Sequence, residues 1–358
     1  MPTLNWIGKD AVIRHHKDVP FRLLEADAAL SHGEGSGNLI VQGDNLHALK
    51  ALLPKYAGKV KCIYIDPPYN TGNEGWVYND KVNSPEINRW LGSVVGKEAE
   101  DLSRHDKWLC MMYPRMVLLK QFLSEDGVIW VSIDDAEMAS LRHLMDEIFG
   151  RVRHIATNVW QKRYSRENRE AIGDVHEYVV LYAMDPSKFT EQRHKIPVTE
   201  KQAKVYRNPT NDPRGRWRPI PMTAQEGHAT SEQFYEITTP NGTKHTPPKG
   251  RCWALSQKTF EALREQGKIY FGKDGGAQPN VIRFLTEVEG MVPWTWWPHE
   301  DVGHTDAAKK EIYGILGTGI NFDTPKPSTL IQRILQIASD KDSIILDSFA
   351  GSGTTGHA

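Results

Sequence analysis

The sequence predicts an α/β fold: a doubly wound, Rossmann-like parallel sheet interrupted by an inserted domain of mixed structure. Three observations carry this. Short apolar runs with strand character alternate with stretches of helical spacing through the first half of the chain. The alternation fails between about Asp185 and Asn321, where Pro, Gly and Thr break up short segments. It returns from Thr329 onward. Strands alternating with helices imply a sheet covered on both faces.

The elements follow in order. Residues 1–37 are a lead-in, polar and Gly-containing over Ser31–Gly37. Asn38–Val41 then reads as a short buried strand, and Gly43-Asp44-Asn45 as a turn. Leu46, Leu49, Leu52 and Leu53 have helical spacing. Val60–Ile65 is a second strand. Asp66-Pro67-Pro68 must end it, because two prolines cannot continue a central strand. Trp108, Met111, Met112, Met116 and Leu119 recur on one face and give a helix over Trp108–Leu123, closed by Asp126-Gly127. Val128–Ile133 is a third strand, and Ala136–Phe149 a helix stopped at Gly150. Ile155–Trp160 and Tyr178–Tyr182 are two further strands. Past the insert, Thr329–Ser339 is helical on Leu330, Ile331, Ile334, Leu335 and Ala338. Ser343–Asp347 is a strand, and a glycine-rich turn follows it. The expected division is 38–184 and 322–358 for the sheet domain, with 185–321 inserted. Ligands of such sheets bind beyond the carboxyl ends of the strands. Asp44, Asp66 and Asp347 are therefore expected to converge.

Composition narrows the class. The 358 residues suffice for two domains with cores, and 39% hydrophobic with 25% charged residues is ordinary for a globular protein. The apolar runs are too short to cross a bilayer, and Met1-Pro-Thr-Leu-Asn-Trp6 lacks the plan of a signal peptide. A cytoplasmic location without membrane contact is expected. Cys62, Cys110 and Cys252 are far apart and form no C-x-x-C, which argues against a disulfide framework and a zinc knuckle. The net charge is only −1, yet Arg151–Arg218 holds fifteen Lys/Arg against eight Asp/Glu. That surplus reads either as a phosphate-binding footprint or as a solvated face.

Two motifs carry chemistry. The first is Asp66-Pro67-Pro68-Tyr69, continued by Asn70-Thr71-Gly72. Alone, Asp-Pro-Pro is an ordinary strand-ending turn. With Tyr69 attached and a strand in front, it suits transfer to an exocyclic amine of a base. Such a nitrogen is a poor nucleophile because its lone pair is delocalised into the ring. Two acceptors on its N–H bonds, the Asp66 carboxylate and the Pro67 carbonyl, would localise that pair. Tyr69 can stack on the base once the base has left the duplex. The second motif is Phe349-Ala350-Gly351-Ser352-Gly353-Thr354-Thr355-Gly356. It formally matches G-x-G-x-x-G, but that match alone is weak. It also begins a P-loop, yet His357-Ala358 stands where Lys-Ser/Thr is required, which excludes that reading. The third reading is an S-adenosylmethionine loop, where glycines let the backbone approach the cofactor.

Together these residues resemble the catalytic and cofactor motifs of the DNA amino-methyltransferases. The catalytic motif precedes the cofactor motif, as in the beta class. Gly43-Asp44-Asn45-Leu46, Asp66–Gly72, Trp130–Asp135, His176–Val180 and Thr324-Pro-Lys-Pro327 further resemble the modification subunits of Type III restriction-modification systems. The resemblance covers roughly Leu39–Ala358. It implies a circularly permuted methyltransferase sheet, with residues 185–321 as the target-recognition domain. It implies site-specific methyl transfer from S-adenosylmethionine to adenine N6 of double-stranded DNA. By position it makes Asp66, Pro67, Pro68 and Tyr69 the catalytic pocket. Asp44, Lys326, Asp347, Phe349, Gly351, Gly353 and Thr354 become cofactor contacts, with Asp44 near the adenosine end and Lys326 near the methionine end. Arg163, Arg214, Arg216 and Arg218 would hold DNA. The partners it implies are a homodimer and a restriction (helicase/nuclease) subunit. Asp at position 66 favours adenine, since N4-cytosine enzymes usually carry Ser there. Family members continue past the cofactor loop with a helix and a strand supplying an acidic ribose contact. The expectation is thus a chain truncated after that loop, with weakened cofactor binding; the alternative is a DNA-binding or assembly module without turnover.

Other candidates compete less well. His176-Glu177 begins a zinc-protease pattern, but Val180 breaks it, which leaves a packed histidine. His299-Glu300-Asp301 with His304 reads as a polar loop before it reads as a metal site. Trp294, Trp296 and Trp297 read as core packing before base stacking.

Overall fold

Six strands form the main sheet of the structure, a computed structural model describing residues 4–33, 37–71, 85–95, 103–165, 172–319, 322 and 324–358. Gly72, Asn321 and part of Ser31–Gly37 lie outside the described residues. The strands are β1 (Val60–Ile65), β2 (Leu123–Ile133), β3 (His154–Gln161), β4 (His176–Ala183), β5 (Trp296–Trp297) and β6 (Ile344–Leu346). Their spatial order is β5-β3-β4-β2-β1-β6. β1 runs parallel to β2 and β6, and β5 parallel to β3, but β4 is antiparallel to both β2 and β3. The sheet is α/β as expected but mixed rather than all parallel. Parallel neighbours need a crossover connection, whereas β3 and β4, separated only by residues 162–175, can pair by doubling back.

Helices α1 (Asn45–Tyr56), α2 (Arg104–Phe122), α3 (Met138–Met145), α4 (Thr305–Leu316), α5 (Ser328–Ala338) and the short α6 (Thr354–His357) pack with it. α1 begins where Asp44 accepts from the Leu46 and His47 amides, at 2.8 and 3.4 Å. α2 begins at a capping box of Ser103 and Asp106. Its Trp108, Met112, Met116 and Leu119 are fully buried and join Val60, Ile63, Ile65 and Val131 in the main core. A π-helical turn, Asp146–Gly150, follows α3.

Two expectations need correction here. β2 starts at Leu123, so Asp126-Gly127 lies inside the strand instead of closing a helix. The register of β1 against β2 shifts there, and a Cβ on Gly127 would come within 2.8 Å of the Val60 carbonyl oxygen. The glycine thus serves a close backbone approach. Asn38–Val41 is not a strand: it joins no ladder among the described residues, and Leu39 and Ile40 are 58% and 98% exposed. Apolar residues alone do not make a strand without a neighbour to pair with. The end of the Gly351–Gly356 run forms the short α6.

The chain divides into two compact units, residues 1–194 with 293–358, and residues 195–292. The second is narrower than the expected 185–321. Helix Pro186–Gln192 stays with the first unit and buries Phe189; Trp297 of β5 is buried there against Trp130, 5.8 Å between ring centres. The second unit has its own three-stranded antiparallel sheet, Ile269–Tyr270, Asn280–Phe284 and Trp217–Pro221 in that order. Met222, Ile237, Trp253, Phe260 and Phe271 form a core within it. Among the described residues, no helix is long and apolar enough to cross a membrane.

Candidate active site

The carboxyl ends of β1 and β6 lie side by side, with Ile63 opposite Leu346. Asp66 and Asp347 each follow those strands by one residue, so the expected convergence of these two is observed. Asp44 joins less directly. Its carboxylate meets Arg115 at 3.4 Å, while the neighbouring Asn45 side chain donates to the Ser348 carbonyl at 3.0 Å.

Asp66 is the centre of a charged cluster. The Lys326 ammonium donates to its Oδ2 at 2.9 Å and lies 3.5 Å from Glu177 Oε2. The Tyr69 hydroxyl donates to the same Glu177 oxygen at 3.0 Å. Lys326 also sits over the Tyr69 ring, 4.8 Å from its centre. Lys162 meets the other Glu177 oxygen at 3.5 Å and Asp174 at 2.6 Å. The Trp108 indole donates to the Pro68 carbonyl at 2.6 Å and ties the turn to α2. One polar atom is left over: Asp66 Oδ1 is buried and without a partner among the described residues.

The electrostatics follow from this crowding. Burial pushes the Asp66 carboxyl above its usual range; Lys326 opposes that, and Glu177 adds to it. Burial also raises Tyr69 well above an ordinary phenol, with Asp66 and Glu177 reinforcing the shift. Burial pulls Lys326 down, but the carboxylates of Asp66 and Glu177 outweigh it and hold the ammonium charged.

The glycine turn builds the second half of the site. Asp347 accepts from the Phe349 amide at 2.9 Å and from the Thr355 hydroxyl at 2.6 Å. Gly351 and Gly353 have φ of +54° and +80°, which favours glycine. A Cβ on Gly351 would also reach 3.4 Å from the Phe322 ring. Thr354 opens α6, its hydroxyl 2.9 Å from that of Ser352. The Ser348 hydroxyl, next to Asp347, is buried and unpartnered among the described residues.

Burial raises the Asp347 pKa to about 6, against its hydrogen bonds to Thr355 and Phe349 and with help from the Asp66 charge. A raised carboxyl contributes stability that is fully present below its unfolded pKa and lost as pH rises through the folded value. Asp347→Asn is therefore expected to stabilise the ligand-free protein above about pH 6, by at most about 2–3 kcal/mol, and to have little effect near pH 4. Chemical denaturation at both pH values checks this, and equal effects at the two would refute the buried charge as the cause.

Other predicted residues fall in two groups. Lys326, expected beside a cofactor, pairs with the Asp66 carboxylate. Glu177, set aside with His176, is central to the cluster. Its signal was an acidic residue at the head of an otherwise apolar strand. His176 itself packs on Tyr178, its Nε2 3.0 Å from the hydroxyl. No group of three or more His, Cys, Asp or Glu among the described residues could hold a metal ion. His304 instead packs edge-on with Tyr164 and with His299, and His299 packs tilted against Tyr164. Trp297 is buried, whereas Trp294 and Trp296 are about half exposed.

The arginines separate. Arg163 follows β3 in the first unit, while Arg214, Arg216 and Arg218 lie in the second. Arg216 is half exposed, 3.7 Å from Glu200. Arg218 lies over the Tyr206 ring, 5.2 Å from its centre. Arg214 is bonded extensively within its own unit. It grips both Asp212 oxygens at 2.9 and 2.7 Å, donates to the Gln266 and Gly267 carbonyls at 3.0 and 3.1 Å, and covers Phe284. Arg214→Ala is expected to destabilise the 195–292 unit by about 1–2 kcal/mol. Hydrogen exchange resolved by segment measures this; unchanged protection across that unit would refute the structural role of Arg214.

A family model described as DNA methylase matches residues 60–358. The chain is 36% identical to the Type III restriction-modification enzyme StyLTI Mod subunit of Salmonella typhimurium strain LT2, over 99% of this chain and 55% of that protein. It is 30% identical to the EcoPI Mod subunit of Escherichia phage P1, over 99% of this chain and 60% of that one. The Type II methyltransferase M.KpnI of Klebsiella pneumoniae is 28% identical over 92% of this chain and 78% of its own length. The chain thus spans little more than half the length of the two Mod subunits.

Proposed function

Because this chain belongs to the DNA methylase family, we propose that it transfers a methyl group from S-adenosylmethionine to the N6 amine of adenine in double-stranded DNA. The observation that carries the reading is the unpartnered, buried Asp66 Oδ1 on a rigid Pro-Pro turn beside Tyr69. Lys326 occupies the other carboxylate oxygen, which leaves Oδ1 to accept an amine N–H. The Pro67 carbonyl would accept the second, and the Tyr69 ring would stack on the extruded base. With both N–H bonds engaged, the amine lone pair localises and becomes nucleophilic. Asp66 Oδ1 is then the nearest acceptor for the proton the amine sheds, a role suited to a carboxylate with a raised pKa.

The residues present fit the cofactor. The buried, unsatisfied Ser348 hydroxyl and the left-handed glycines at 351 and 353 form a polar cradle beside Asp347. Asp44, Lys326, Asp347, Phe349, Gly351, Gly353 and Thr354 are the proposed wall, with Lys326 facing it from the catalytic side. When bound, S-adenosylmethionine supplies a methyl group activated by its positive sulfonium. Two carboxylates with raised pKa values, Asp66 and Asp347, favour a cationic ligand there.

The 195–292 unit is the proposed reader of the target sequence, with its Arg214, Arg216 and Arg218, and separately Arg163 of the first unit, as proposed phosphate contacts. A restriction subunit as partner follows from the Type III names of the relatives. The test is transfer of labelled methyl to double-stranded DNA, with the product nucleoside identified by mass. N6-methyladenine is expected. N4-methylcytosine would overturn the substrate, and DNA binding without labelling would favour a binding module.

A further inference from the structure

The catalytic turn ends on a backbone conformation that its own residue disfavours. Asn70 has φ +60°, one of only two non-glycine residues with positive φ among those described. Non-glycine residues adopt it uncommonly, Asn more readily than most, and it persists where the surroundings hold it. The surroundings here are specific. The Asn70 side-chain amide donates to Glu137 Oε1 at 2.5 Å and to the Arg104 carbonyl at 3.1 Å. His105 Nδ1 lies 2.7 Å from the same Glu137 oxygen. Glu137 comes from a different strand end. It follows β2, stands at the N-cap position of α3, and makes no capping bond with its side chain. That side chain is fully buried, and its Oε2 has no partner among the described residues.

A buried carboxylate with an unsatisfied oxygen is costly. One Glu137 oxygen nevertheless joins the catalytic turn, the start of α2 and the start of α3. We propose that Glu137 is a positioning residue: acting through Asn70, it locks the left-handed end of the Asp66–Thr71 turn and so aims Asp66 and Tyr69. It touches neither substrate nor cofactor.

The experiment compares Glu137→Ala, Glu137→Gln, Asn70→Ala and Asn70→Gly by segment-resolved hydrogen exchange and by methyl-transfer kinetics. Glutamine keeps an acceptor for Asn70, and glycine adopts φ +60° without strain. In Glu137→Ala, amide exchange at Tyr69–Thr71 is expected to rise about tenfold while β1 and β2 stay protected. kcat is expected to fall about ten- to a hundredfold, with cofactor affinity within about twofold. Glu137→Gln should recover most of both, and Asn70→Gly should lose less than Asn70→Ala. A uniform loss of protection through the sheet in Glu137→Ala and Glu137→Gln alike would show a merely structural carboxylate and overturn the proposal. So would unchanged exchange at the turn in Glu137→Ala. The kinetic readout rests on the methyl-transfer reading above, and the exchange readout does not. A wild-type chain that transfers no methyl would defeat that reading and still leave the exchange test decisive.

Discussion

Asp66→Ala is expected to lower methyl transfer about a hundredfold or more while the protein stays folded. In the proposed reaction the carboxylate supplies an acceptor for the amine, and Oδ1 is without a partner among the described residues while Oδ2 pairs with Lys326. Lys326 keeps Glu177 as a counter-ion when Asp66 is removed, so the variant should stay folded although less stable. Single-turnover transfer measured beside a thermal melt separates the two effects. Near-normal turnover by the folded variant would remove Asp66 from the chemistry. In the wild type, activity should rise with pH through a value above the ordinary carboxylate range, because Asp66 must be ionised to accept the amine proton and burial raises its pKa.

Lys326→Met has the second large effect, in stability as well as rate. The Lys326 side chain is only 9% exposed and bridges Asp66 and Glu177. Breaking a buried pair by removing one partner costs about 3–5 kcal/mol, because the remaining charges stay buried without compensation. Asp66 and Glu177 would then repel each other across the gap. The acid limb of the pH–rate profile should move to higher pH, since Lys326 is what opposes the upward pull of burial on Asp66. Adding Glu177→Gln should restore part of the lost stability, and a double-mutant cycle reads the coupling. Strictly additive losses would mean that Lys326 and Glu177 do not share the cluster in solution.

The sequence exposed its fold where local patterns suffice. The β1, β3, β4 and α5 segments were legible because apolar spacing and terminating Pro or Gly residues are properties of neighbouring residues. Asn38–Val41 misled for the same reason: its pattern was local, but strand status needs a partner. Asp126-Gly127 misled because a glycine that ends a helix and one that admits a close backbone approach look alike in one dimension. The inserted unit was visible as a break in pattern, but its edges were not. Phe189 and Trp297 are buried with the first unit, and composition does not report which core a residue joins.

By itself the sequence determined the two motifs and their order, because a Pro-Pro turn after a strand and a run of glycines are chemically explicit over eight residues or fewer. It also placed Asp66 and Asp347 at strand ends, which in an α/β sheet fixes where chemistry can occur. Only the tertiary structure decided what surrounds them. Lys326 lies 260 positions from Asp66, and Glu177 lies 108 from Tyr69. No periodicity relates such residues, since strand order and direction alone bring them within hydrogen-bond range. The same holds for Arg214, whose bonds to Asp212 and two backbone carbonyls and whose contact with an aromatic ring no charge count reports. Charge is a property of the residue, but the partner that satisfies it depends on which surfaces the folded chain buries together.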